Sequence, residues 1–150
     1  MEFKSLSRPD RTGLILEAVQ LYWIDKRYSC HVEIGLNKKG RLRADLLVLN
    51  TKCQLVLVEV KSCWSDFKTD LKWHKYLKHC HKLYFAIDSD LFDSKGTEIK
   101  AAIKEHGCGL IVFDGKKCKV KQAAKERTMA DTEIANLLIR MSWRGGRFKE

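Results

Sequence analysis

The chain has 150 residues, 45% of them hydrophobic and 32% charged, a composition that suits one globular domain and excludes wholesale disorder. Twenty-nine Lys and Arg against 19 Asp and Glu give a formal net charge of +10, so a clustered excess would attract a polyanion, nucleic acid first and a membrane surface second. No apolar run approaches the roughly 18 residues of a spanning helix. Residues 1–13 lack the apolar core of a signal peptide, which predicts a cytoplasmic protein, or a nuclear one in a eukaryote.

In chain order, Pro9 precedes Leu14, Ile15, Ala18, Val19, Tyr22 and Trp23, whose three-and-four spacing predicts a helix. Cys30, Val32 and Ile34 alternate with His31 and Glu33, the period of a half-buried strand. After a turn at residues 37–40, apolar runs at 42–49 and 55–61 are close enough to pair as an antiparallel hairpin. The second run, LVLVEVK, is nearly apolar on both faces and belongs in the middle of a sheet covered on each side by helices.

Helical spacing returns over residues 65–81, which predicts Phe67, Leu71, Trp73, Leu77 and Cys80 inside. Strands at 83–87 and 110–113 bracket a helix at 95–106, and an edge strand is expected at 118–120. A last helix spans 132–141, and the glycine- and charge-rich residues 143–150 are expected to be mobile. Six cysteines without a CxxC pair read as reduced thiols. His79, Cys80 and His81 point in different directions on a helix and make a poor metal site.

Two carboxylates interrupt segments that otherwise ask for burial, Asp45 in 42–49 and Glu59 in 55–61. A buried carboxylate is unfavourable by several kcal/mol unless paired, hydrogen-bonded or bound to a metal. Glu59 and Lys61, two apart on a strand, leave the same face of the sheet. If the hairpin register sets Asp45 beside Glu59, the group suits a hard divalent cation such as Mg²⁺. A buried ion-pair network without catalytic purpose is the alternative that these residues leave open.

The order helix, three-stranded meander, helix, strand, with Asp45 before Glu59-Val60-Lys61, resembles the restriction-endonuclease-like PD-(D/E)xK nuclease superfamily. The resemblance is closest to its MmcB-like DNA-repair group, through Arg43-Ala44-Asp45, Val58-Glu59-Val60-Lys61-Ser62, Asp66-Phe67-Lys68, Asp70-Leu71-Lys72-Trp73, Tyr76 and Tyr84-Phe85-Ala86. It implies an α/β fold, an αβββαβ core with a central mixed sheet flanked by helices, acting on DNA with Mg²⁺ or Mn²⁺. It also implies that Asp45, Glu59 and the Val60 carbonyl hold the metal and that Lys61 is the catalytic lysine. The superfamily's helical acid would match Glu17, with Glu33 as the rival extra acid. Ala44 stands where the superfamily usually has Pro.

Beyond the motif, Lys68, Lys72, Lys75, His79 and Lys82 fall at steps of four, three, four and three, one helical face that would hold a DNA backbone together with Arg43. RNA stays open as a substrate, and a homodimer would suit a two-fold symmetric one. Two functions follow as expectations: a metal-dependent DNA nuclease that is structure-directed or weakly sequence-selective, or a catalytically silent DNA-binding accessory on the same fold.

Overall fold

The computed structural model describes residues 6–38, 41–70 and 73–149. The first helix, α1 (Arg8–Asp25), is capped by Ser7, whose hydroxyl oxygen accepts the Asp10 N–H at 3.4 Å, and Pro9 sits in the first turn, where no amide donor is needed. Ile15, Val19 and Trp23, four apart, form its buried stripe.

Six strands form one sheet in sequence order: β1 (Ser29–Gly35), β2 (Arg43–Leu49), β3 (Leu55–Val60), β4 (Lys82–Asp88), β5 (Gly109–Phe113) and β6 (Cys118–Gln122). β1, β2 and β3 are antiparallel, β3, β4 and β5 parallel, and β6 returns antiparallel to β5. α2 (Trp64–Thr69) and a 3₁₀ helix (Trp73–His79) connect β3 to β4, α3 (Ser89–Lys104) connects β4 to β5, and α4 (Asp131–Arg144) follows β6. The mixed sheet and the αβββαβ order are those expected.

Each face of the sheet carries its own apolar layer. α1 covers Leu46, Val48, Val56, Val58 and Ile111. On the other face Phe67, Trp73, Tyr76, Ile99 and Leu137 pack with Leu47, Leu57, Phe85 and Ile87. β3 is buried at every residue, as a run apolar on both sides requires.

The single helix expected over residues 65–81 is two pieces. α2 ends at Asp70, which leaves with extended φ,ψ of −76° and 98° although no Pro or Gly marks the place. The second piece winds with three residues per turn, so Trp73, Tyr76 and His79 share the buried side while Lys75 and Lys78 share the exposed one. Trp73 meets Phe85 edge-on at 5.4 Å between ring centroids. Burying both aromatics against the sheet outweighs the local 3.6-residue preference. Leu71, expected inside, lies outside the described residues.

α3 begins at Ser89, earlier than its periodicity predicts, because the Asp88 carboxylate caps it by accepting the Leu91 N–H at 2.7 Å. The end of the chain, expected to be mobile, is docked. Gly145, at φ 71°, closes α4 with its N–H on the Met141 carbonyl at 2.8 Å and turns the chain back to β1. There Cys30 and Arg147 exchange backbone hydrogen bonds at 2.7 and 2.9 Å. The six cysteines are free, and no helix among the described residues is long and apolar enough to cross a membrane.

Candidate active site

β2 and β3 pair in register from Leu49 with Leu55 to Leu46 with Val58, and there the ladder stops. One step further Asp45 and Glu59 stand opposite each other, and side chains replace backbone acceptors. The Asp45 N–H donates to Glu59 Oε1 at 3.0 Å, and the Val60 N–H donates to Asp45 Oδ2 at 2.8 Å. Both carboxyl groups therefore lie in the fork between two parting strands, each tied to the strand of the other. On the far side of β3 the Lys61 N–H donates to the Ala86 carbonyl at 3.0 Å, so strand alternation turns the Val60 carbonyl toward the fork.

Glu59 is 4% exposed, while Asp45 is half-buried and forms the accessible lip. Burial first, then the charge of Asp45, pushes the Glu59 pKa up to about 9. Asp45 is also raised, by burial first, against the opposing effects of the Val60 N–H and Lys61. Lys61 is buried and ion-paired with Asp70, the residue at which α2 breaks. The Tyr76 hydroxyl donates to the Arg43 carbonyl at 3.1 Å and pins the end of β2. Its pKa is raised by burial and then by the charges of Glu59, Asp70 and Asp45. Three carboxyl groups thus surround one ammonium, a negative spot on a chain whose formal net charge is +10.

That donor set fits Mg²⁺ or Mn²⁺. Among the described residues no three His, Cys, Asp or Glu side chains converge as a metal cage. Two carboxylates and one carbonyl make an open oxygen site, and Mg²⁺ binds through one or two carboxylates while keeping several waters.

The structure brings Asp45, Glu59, Val60 and Lys61 together; of the two extra acids Glu17 lies away from the fork, while Glu33 stands on β1 across from Asp45 with its side chain exposed. Glu17 is exposed on α1, on the opposite face of the sheet, and is held by Arg147 Nη1 at 2.9 and 3.1 Å. Glu33 is exposed on β1 at φ 48°, and its carbonyl accepts from Arg43 Nη2 at 3.3 Å.

The expected basic stripe is also rearranged. His79 is 4% exposed and its Nδ1 meets Glu133 Oε1 at 2.6 Å, because a three-residue period carries it inward. Lys82 pairs with Val56, four residues down the strand from Val60 and so about 13 Å from the fork. Lys68 is exposed on α2, its ammonium 5.9 Å from the Trp64 ring centroid, and Lys72 lies outside the described residues. Lys75 joins Arg41, Leu42, His74, Leu77 and Lys78 in lining a groove of about 700 Å³, with Leu42 three residues from Asp45 on the same chain segment.

Sequence reasoning missed Asp70 as the partner of Lys61 and missed the groove. The groove had a signal, the three-residue spacing of Trp73, Tyr76 and His79 against that of Lys75 and Lys78. Asp70 had none, since its role depends on a helix break.

A six-stranded mixed sheet with helices on both faces fits a restriction-endonuclease-like α/β core. The chain belongs to the MmcB-like family, whose model, DNA repair protein MmcB-like, matches residues 3–147. This membership supports a DNA-related role. A solved structure from Silicibacter pomeroyi, described as the SPO1766 protein of unknown function, shares the fold at a TM-score of 0.73 and 22% identity, over 93% of this chain and 87% of that one. No curated protein matches the chain.

Proposed function

We propose that this chain hydrolyses phosphodiester bonds of DNA in a Mg²⁺- or Mn²⁺-dependent reaction, with Asp45, Glu59 and the Val60 carbonyl as the metal ligands and Lys61 as the catalytic lysine. The observation that carries this reading is the fork, where two carboxyl groups are fixed by backbone N–H donors beside a buried lysine. A bound divalent cation would supply a more acidic water and neutralise charge developing on the phosphate.

The chain's own residues do the positioning. The Asp45 and Val60 N–H groups orient the carboxylates before any ligand arrives, so little reorganisation is left for the reaction. Asp70 holds the Lys61 ammonium beside the fork, from where it can orient water or donate to a phosphate oxygen. Arg41, Lys75 and Lys78 supply cations for the DNA backbone without reading sequence.

The test uses labelled duplex, single-stranded, flap and four-way-junction DNA with Mg²⁺, Mn²⁺ or EDTA. Cleavage by wild type only with metal, lost in Asp45→Asn and in Lys61→Ala, supports the proposal. Cleavage that survives both substitutions overturns it. The ion pair between Lys61 and Asp70, which neutralises the lysine, favours one second reading, a silent DNA-binding accessory; it predicts salt-sensitive binding with no cutting under any metal.

A further inference from the structure

α4 turns Leu137 and Met141 into the core. Its outer face carries Ile139 at 59% and Trp143 at 88% exposure, four residues apart, interleaved with Arg140 and Arg144. A Trp left almost wholly in water forfeits the burial that usually makes this side chain worth having. Trp23 and Trp73 are buried and Trp64 half-buried, so Trp143 stands apart from the other three.

The cations around it are held in place. Arg144 Nη1 donates to the Glu33 carbonyl at 3.0 Å, Arg43 Nη2 to the same carbonyl at 3.3 Å, and Arg140 Nε to Asn136 Oδ1 at 3.0 Å. Each bond uses one of the five N–H donors of a guanidinium. Glu33 adopts φ 48°, a left-handed conformation that non-glycine residues rarely take. At this residue β1 changes the face it buries, with Cys30 in the α1 layer and Ile34 in the other.

Glu33 also ties this surface to the fork. The pairs Val32 with Leu46 and Ile34 with Ala44 bracket it, which sets it opposite Asp45, one strand spacing of about 4.8 Å away. The adjoining groove of about 400 Å³ has two cations, Arg140 and Arg144, and no acidic side chain among the described residues of its lining.

We infer that this surface binds single-stranded DNA, with Trp143 stacking on an unpaired base and Arg140, Arg144 and Arg43 holding the phosphates. Base–aromatic stacking tolerates any sequence, and a duplex interior offers no free base face to an exposed indole. The exposed carboxylate of Glu33 opposes the strand at this edge, and three guanidiniums outnumber it. The inference deepens the proposed function: it places an unpaired stretch of the substrate one strand away from the cleavage site.

The test is a titration of the full chain in EDTA with a thymidine oligonucleotide and with a blunt duplex, read by tryptophan fluorescence and by competition. The thymidine strand is expected to quench Trp143 and to bind tighter than the duplex. Trp143→Ala should lose the quench and roughly tenfold or more of single-strand affinity, with Trp143→Phe keeping most of it. Arg140→Ala and Arg144→Ala should each lower the salt slope of binding by about 1. Single-strand binding by Trp143→Ala equal to wild type overturns the inference, as does a surface that takes an acidic protein and not the oligonucleotide. Circular dichroism of the variant excludes unfolding. Because EDTA keeps metal out of the titration, the result stands whether or not the protein cuts DNA.

Discussion

Lys61 and Asp70 are nine residues apart in the chain and ion-paired in the structure, with the aspartate standing where α2 gives out. Their side chains are 11% and 15% exposed, so neither charge is well served by water once the other is gone. Asp70→Asn is expected to lower cleavage on the order of 10²-fold, mainly in kcat, because the ammonium loses its anchor. Asp70→Glu should restore part of the rate, which a purely structural role would not require. The same Asn change removes the ion-pair partner of Lys61, leaving it only the carboxyl groups of the fork, and should cost about 1–3 kcal/mol in urea unfolding.

The carboxyl pair makes stability depend on pH. Glu59 holds its proton in the folded chain up to about 9, against 4.5 as its ordinary value, and Asp45 is shifted the same way. A raised carboxyl pKa means that the folded state binds more protons than the unfolded one between those limits, so this contribution is fully present below about 4.5 and lost as pH rises toward 9. Without metal, Tm should fall across that range, and Glu59→Gln should flatten the fall. Mn²⁺ at pH 8 should raise the Tm of wild type and leave Glu59→Gln unmoved. A metal shift that persists in the variant would remove Glu59 from the ligand set.

Salt reads the basic groove directly. Removing one cation that neutralises a phosphate should lower the slope of log affinity against log salt by about 1. Lys75→Ala and Lys78→Ala are both expected to do so. Lys82→Ala, on the far half of β4, should not. An equal effect of Lys82→Ala would mean that the phosphate contacts extend beyond the groove to the start of β4.

Docking of the chain end has its own check. A Cβ on Gly146 would stand 2.4 Å from His31 Cε1, and His31 is buried with its Nδ1 donating to the Gly145 carbonyl at 2.9 Å. Gly146→Ala should push the segment off β1 and cost about 1–3 kcal/mol. Amide exchange at Cys30 and Arg147, whose N–H groups bond across this seam, should accelerate while exchange in β3 stays slow.

The amino-acid sequence alone carried the sheet and the heart of the site. Residues 55–58 are apolar on both faces, so β3 had to be central, and strand alternation put Glu59 and Lys61 on one face wherever the sheet formed. These are short-range periodicities that hold in any tertiary context. The meeting of Asp45 with Glu59 needed the register of two strands, the capture of Lys61 by Asp70 needed a helix to break, and the inward turn of His79 needed a 3₁₀ winding. Glu17 has a helical position that could face either way, and only the packing of α1 on the opposite face set it against Arg147. In each case the deciding energy came from burial against residues distant in the chain, aromatics on the sheet or a carboxylate against an ammonium, which local spacing does not encode.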